Sequence, residues 1–435
     1  MLKTVTVTAL QNRIQTVSTI ETLVARYLRV AVGVVGLLKM AVLCRFRGFA
    51  RKTKYLQETL FLNDVTSSSS ASRSLCTYVQ QPKSRSILKF SLIGAGVGVV
   101  AGAGYAISKI NDARKKLALE GTEVEVKVLK YKPDVKPSRK IVSPVDTTGL
   151  KLTLFQYQTC PFCCKVRVLL DYYGLSYDVV EVDPVLRREV SWSDYRKVPI
   201  LLAKVNKGYQ PLNDSSLIVS VLASFLHDKS QKIDELSKCY PVIAMHDEKG
   251  VFKHEIVNKY FLMYQNSTPK DRSLNDIVEE RKWRKWADDV FVHTLCPNVY
   301  RTLGEAYQTF NWFSDVGRWE EYFPSWERAI MVNVGALAMW LISKKLKKRH
   351  HLKEDVRESF YDEINIWLNA IKARGGTFMG GANPDLSDLA VYGVLKSIEG
   401  CEAFQDALKY TQLGTWYNAV KEKVDSHAGS VYLSN

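Results

Sequence analysis

The sequence predicts an α/β domain followed by an all-α domain, with a disordered leader and one transmembrane helix ahead of both. Three observations carry this. From Lys151 to about residue 230, short apolar or β-branched runs alternate with helical periodicity. After about Asp271 only helical periodicity remains. Well upstream, Phe90 to Ile107 runs for 18 residues without a charge. The boundaries read as leader 1–85, transmembrane helix 86–108, linker 109–150, α/β domain 151–230, connector 231–270 and helical domain 271–430.

The leader is Arg-containing, rich in Ser and Thr, and poor in acids (Glu21, Glu58 and Asp64 only), as organelle transit peptides are. Its apolar run Val30–Leu38 is too short to span a bilayer. Phe90–Ile107 has the minimum length for one span. Lys83, Arg85 and Lys89 precede it, Lys109, Arg114, Lys115 and Lys116 follow, and Gly94, Gly98 and Gly102 form a small-residue stripe. Basic residues on both flanks leave its orientation open. In the Pro-containing linker, Glu123–Val128 alternates like a short edge strand.

The net charge of +16 is concentrated in these segments. Residues 1–82 hold 11 Lys/Arg against 3 Asp/Glu, residues 83–150 hold 13 against 6, and residues 151–435 hold 37 against 36. A nucleic-acid binder carries its basic patch on a folded domain, so the excess reads as targeting and membrane-flanking charge, with no nucleic-acid partner.

In the α/β domain, Leu152–Tyr157 is a strand. Cys160-Pro161-Phe162-Cys163 then opens an amphipathic helix that runs to about Tyr173 and ends at Gly174, with Pro161 at the first helical position. A thiol at a helix N-terminus meets unpaired N–H groups and the positive end of the helix dipole, which favour the reactive thiolate. Strand, CxxC and helix in that order read as a thioredoxin-like site. Structural zinc needs further ligands, and Cys239, Cys296 and Cys401 are isolated, so no metal is expected. The eight cysteines form no disulfide scaffold and read as free thiols. Cys163 and Cys164 fall on the next turn, more buried than Cys160, with Cys164 a packing residue. Tyr177–Val182 is a second strand, Val198-Pro199-Ile200-Leu201-Leu202 a third, and Asp214-Ser215-Ser216 caps the helix Leu217–Leu226, leaving N–H groups and hydroxyls able to hold a carboxylate.

Helices follow at Glu279–Val292, Trp326–Ile342, Asp355–Ala373 and Asp388–Ile398, the last with a capping box of Asp385 and Asp388. Ala329–Ser343 is apolar, but it is short and contains Asn333, so it is expected to be a buried core helix.

The order β-α-β, Pro-β, capped helix resembles the thioredoxin-like half of glutathione transferases and glutaredoxins. In those families the Val-Pro peptide is cis and the Asp-Ser pair takes the γ-glutamyl end of glutathione. The resemblance thus implies glutathione contacts at Val198, Pro199, Asp214 and Ser215. Tyr157 to Cys163, Tyr195 to Leu201, Leu212 to Ser216, Pro297 to Arg301 and Asp388 to Val394 together resemble the membrane-associated prostaglandin E synthases of type 2, over about residues 151–425.

That resemblance implies isomerisation of a lipid endoperoxide, prostaglandin H2, to prostaglandin E2. One thiol suffices for a reaction without net redox change. Cys160 is expected to be that thiol, with Tyr157 tuning it, Phe162 lining an apolar pocket and Cys163 in support. The resemblance also implies haem as well as glutathione, with endoperoxide degradation in the haem-loaded form. His293 and Arg349 are the candidate haem-pocket residues, and Lys345 stands where the family pattern has Arg. A homodimer through the helical domain, tethered to a membrane by the single span, is expected. Golgi membrane is the family's location, and the leader points to mitochondria. Competing classes are a glutaredoxin-type thiol–disulfide oxidoreductase and a non-enzymatic membrane protein that binds haem or glutathione.

Overall fold

The computed structural model describes residues 126–246, 252–264 and 272–433. The segments expected to be a leader and a transmembrane helix, and the alternating residues Glu123–Glu125, lie outside the described residues.

A five-stranded mixed sheet has the order β1-β3-β2-β4-β5. β2 (Leu152–Gln156) runs into α1 (Pro161–Tyr173), and β3 (Tyr177–Glu181) returns parallel to β2. β4 (Ile200–Val205) and β5 (Gly208–Asn213) form an antiparallel hairpin whose first strand pairs with β2. All of β2 is buried, because both of its faces are covered. Leu152 and Leu154 meet α1 and α2 (Ser215–His227) in the main core. Phe155 packs on the opposite face with Val180, Val182, Val190, Ile200 and Leu202. Gly174 ends α1 in the left-handed region at φ 65°.

The linker and the connector, for which no strand was expected beyond Glu123–Val128, both contribute strands. The linker supplies β1 (Arg139–Ile141), which lies antiparallel on β3 and moves the start of the sheet domain upstream of Lys151. Three residues with a charge at two of them give no periodic signal. Leu129, just past the expected edge element, exchanges two backbone hydrogen bonds of 2.8 Å with Tyr209 of β5. The connector folds as α3 (Ile233–Leu236) and a hairpin of β6 (Val242–His246) and β7 (Phe252–Ile256).

The helical domain begins at α4 (Leu274–Trp286), which Ser273 opens with a capping box to Asp276. A π-helical turn, Ala287–Phe291, joins it to α5 (Val292–Val299). Then come α6 (Leu303–Val316), α7 (Trp319–Tyr322), α8 (Ser325–Arg349), α9 (Val356–Arg374), α10 (Leu386–Lys396), α11 (Glu402–Tyr410) and α12 (Leu413–Asp425). Asp385 and Asp388 form the expected capping box on α10.

The expectation of a buried core helix at Ala329–Ser343 is overturned. α8 is mostly exposed, with Trp326, Val334, Leu337, Leu341 and Ile342 all open to solvent. Only Glu327, Met331, Ala336 and Ser343 are buried, a stripe narrower than the apolar composition suggests. By length and composition α8 is apolar enough to cross a membrane.

α10 crosses α1 so closely that a Cβ on Gly393 would lie 2.7 Å from the Lys165 Cα and 2.8 Å from its N. The obstruction is backbone, which cannot rotate away. Gly393→Ala is therefore expected to destabilise the fold by about 1–3 kcal/mol, read from the denaturant midpoint. An unchanged midpoint would show that the two helices slide apart freely.

Candidate active site

Cys160 is the N-cap of α1, with extended backbone (φ −76°, ψ 124°) and no side-chain capping bond. Its carbonyl accepts the first helical bond from Cys164 at 2.8 Å, and its own N–H reaches the Tyr157 carbonyl at 3.2 Å. Cys160 is partly exposed, whereas Cys163 and Cys164 are buried. The Cys160 thiol is pushed below its ordinary range, chiefly by a hydrogen bond from Cys163. The backbone N–H groups of Cys163 and Phe162 and the charge of Arg167 add to this against the cost of burial. Burial and the Cys160 charge push Cys163 well up, so Cys163 stays a thiol and donates to the Cys160 sulfur. Burial raises the Tyr157 phenol to about 12 even against Arg187, so it keeps its proton at neutral pH.

Arg167, one turn further along α1, was not singled out by the sequence reading. It is buried at 8% exposure, and among the described residues no carboxylate lies within ion-pair distance. Nη1 donates to Gln156 Oε1 at 2.6 Å, and Nη2 to the Gln158 carbonyl at 2.7 Å and to Cys164 Sγ at 3.0 Å. A guanidinium held by neutral acceptors keeps its full field, directed at the three sulfurs. Sequence offers only a weak sign of it, a charged residue in the apolar run Val166 to Leu170.

The Val198–Pro199 peptide leading into β4 is cis. Asp214 sits at φ 79° and its Oδ1 accepts from the N–H of Ser216 at 2.8 Å and of Leu217 at 3.4 Å. Those two donors, read from sequence as open to a ligand carboxylate, are therefore taken by the chain's own Asp214. Its Oδ2 faces Lys259 Nζ at 3.6 Å. Tyr195, raised by burial and then by Asp214, Cys163 and Cys160, stands between the cap and the thiols. The structure thus gathers Tyr157, Cys160, Cys163, Tyr195 and Asp214 around one end of the sheet. Ser215 is buried at the head of α2. Phe162 is half-buried against the main core with Lys165 Nζ 5.8 Å from its ring centre.

Behind the thiols, Lys165 donates to Asp288 and, at 3.1 Å, to Ser216 Oγ. Ser216 Oγ and Tyr260 Oη also donate to Asp288, at 2.6 and 3.0 Å. This buried network joins α1 and α2 to the π-helical turn of the helical domain.

His293 and Arg349 meet on the side where α5 packs against α8. The His293 ring stacks on His350 at 4.2 Å and 12°. Burial lowers His293, against Asp289 and with the help of Arg349. Lys345 lies one turn before Arg349 on α8.

Arg167 gives a direct test of the thiol's electrostatics. The thiolate fraction rises with pH through the thiol pKa, so a depressed pKa keeps Cys160 reactive at lower pH. Arg167→Met is expected to move the iodoacetamide rate profile to higher pH and slow Cys160 alkylation at pH 7 by roughly 3–10-fold. A profile that does not move would remove Arg167 from the site.

A reactive thiol at the head of α1, a cis proline before β4 and an acid-capped α2 define a glutathione-transferase-like protein with a thioredoxin-like half. The family model for the glutathione S-transferase N-terminal domain matches residues 154–225. Prostaglandin E synthase 2 of Danio rerio is 44% identical over 277 residues, covering 63% of this chain and 71% of that protein. Its Mus musculus counterpart is 43% identical over 304 residues, covering 69% and 77%. The chain belongs to the prostaglandin E synthase 2 family. Among solved structures, glutathione transferase F7 of Populus trichocarpa aligns with a TM-score of 0.36 at 12% identity, covering 64% of this chain and 99% of that one.

Proposed function

We propose that this protein is a prostaglandin E synthase that isomerises prostaglandin H2 to prostaglandin E2 with Cys160 as its working sulfur. The observation that carries the reading is the inequality of the two CxxC sulfurs: Cys160 is accessible and held toward thiolate, while Cys163 is buried and held protonated. The Cys160 thiolate attacks the endoperoxide oxygen on C9. An S–O bond forms, the O–O bond breaks, and the C11 oxygen leaves as an alkoxide that takes the Tyr157 proton. The Tyr157 phenolate then removes the C9 hydrogen as a proton, C9=O forms, and the S–O bond breaks to restore the thiolate. Electrons and protons balance with no external reductant, as an isomerisation requires.

Glutathione would lie beside this sulfur. The backbone of Val198 before Pro199 would meet the cysteinyl part, and Asp214 Oδ2 with Ser215 would meet the γ-glutamyl end. Haem, where bound, supplies an iron centre for endoperoxide breakdown. His293, kept toward its neutral form by burial, and Arg349 are the residues that would hold it. The same reading includes a membrane tether through residues 86–108 and a homodimer.

A second reading, a glutaredoxin-type oxidoreductase, draws on the Cys163-to-Cys160 hydrogen bond, which suits a pair able to close a disulfide. The deciding experiment takes the full chain in detergent, supplies prostaglandin H2, and quantifies prostaglandin E2 by chromatography with and without glutathione and haemin. Parallel samples follow reduction of a glutathione mixed disulfide. Prostaglandin E2 formation above the spontaneous rate supports the isomerase. Rapid disulfide turnover with only spontaneous product would replace it with the second reading.

A further inference from the structure

The two faces of the sheet are covered unequally. One packs against α1, α2 and the helical domain. The other is covered near the thiol end by Trp192, Tyr195 and Val198, while Leu129 packs on it from beside Tyr209. At the far end a cross-strand row, Lys140, Asp178, Thr153 and Leu202 in register, leads to Lys151 and Lys204 two residues on. A cavity of about 420 Å³ opens over this end, and among the described residues none from a helix lines it. Lys132, Lys140, Lys151 and Lys204 stand around it. Asp178, the one acid in the lining, is paired with Lys132 at 3.3 Å.

The charge here is local. Residues 126–151 hold seven Lys/Arg against two Asp, while residues 151–435 hold 37 against 36. Lys204 adds to the same side from β4. Lys127, Lys130, Lys132, Lys136, Lys140 and Lys151 are all exposed. Beside them stand two of the most exposed large apolar side chains described, Val142 at 79% and Tyr131 at 73%. Val142 lines the cavity, and Lys130 Nζ lies 5.4 Å from the Tyr131 ring centre.

We propose that this open end of the sheet is a docking surface for anionic phospholipid head groups. Lysines bring the charge, the cavity admits a head group, and Tyr131 and Val142 supply the aromatic and aliphatic contacts that sit at a bilayer interface. An exposed valine and tyrosine beside the lysines suit a bilayer interface, so the apolar pair favours lipid. Chain length agrees. Only 18 residues separate Ile107, the end of the charge-free run, from Val126. Fully extended they reach about 60 Å, which bounds how far the described residues lie from any membrane that holds the run. The inference does not depend on the isomerase reading, because it uses no residue of the thiol site.

The test reconstitutes the full chain in vesicles of phosphatidylcholine alone or with 30% phosphatidylserine (about 30%, a typical anionic load). Exposed lysines are acetylated with a membrane-impermeant reagent and read by mass spectrometry. Labelling of Lys132, Lys140, Lys151 and Lys204 is expected to fall about fivefold or more in the anionic vesicles at low salt and to recover at high salt. Lys282 and Lys285 on the helical domain are expected to label equally in both. The triple variant Lys140→Glu/Lys151→Glu/Lys204→Glu is expected to lose the residual protection at Lys132 while its Cys160 alkylation rate is unchanged. Equal labelling of the four lysines in both vesicle types overturns the proposal. So does equal protection in neutral vesicles by inorganic phosphate, which would mark a soluble-anion pocket, or by a short RNA.

Discussion

Replacing Cys160 with serine is expected to lower prostaglandin E2 formation by about a thousandfold or more, to the spontaneous rate. A serine hydroxyl at the head of α1 gains too little from N–H groups and Arg167 to ionise at neutral pH, so no nucleophile remains. Cys163→Ser is expected to keep activity within about tenfold of the parent, because a hydroxyl at 163 still donates a hydrogen bond to the Cys160 sulfur. The measurement is initial-rate prostaglandin E2 formation by the full chain. Both variants falling together would mean that the two sulfurs act as a redox pair, and full activity in Cys160→Ser would remove the thiol from the mechanism.

The second large effect is structural. Asp388 is fully buried at the start of α10 and accepts four hydrogen bonds. They come from the N–H groups of Met379 at 3.0 Å, Gly380 at 3.0 Å and Asp385 at 3.1 Å, and from Trp416 Nε1 at 3.0 Å. Asp388→Ala leaves these donors unpaired in a site closed to water. At about 1–3 kcal/mol for each buried donor, partly recovered by relaxation, a loss of roughly 4 kcal/mol or more is expected. That corresponds to a fall in Tm of about 8 °C or more. Asp388→Asn, which keeps one acceptor oxygen, is expected to lie between. A Tm within a degree or two of the parent in Asp388→Ala would show that the loop Met379–Gly380 finds other partners.

The parts legible in the sequence were those that repeat or punctuate. The β2–CxxC–α1 unit, Gly174, the Asp214 cap and the Asp385/Asp388 box each rest on a local rule, and each stands where that rule placed it. β1 and the β6–β7 hairpin were missed because short strands with charged residues draw their stability from a neighbouring strand, which no local window contains. α8 misled for the opposite reason. Its middle is apolar in composition, yet only Glu327, Met331, Ala336 and Ser343 are buried. At the site, Arg167 and the Lys165–Asp288–Ser216–Tyr260 network were invisible, since their meaning lies in partners distant along the chain.

That network, together with Gly393 against the Lys165 backbone, bears on how the protein can be taken apart. α1 carries the reactive sulfur at one end and is clasped by the helical half one turn later. The two halves are therefore not interchangeable parts. A chimaera that grafts this thioredoxin-like half onto another transferase's helical half would need an acid at 288 and a glycine at 393 before the nucleophile sat true.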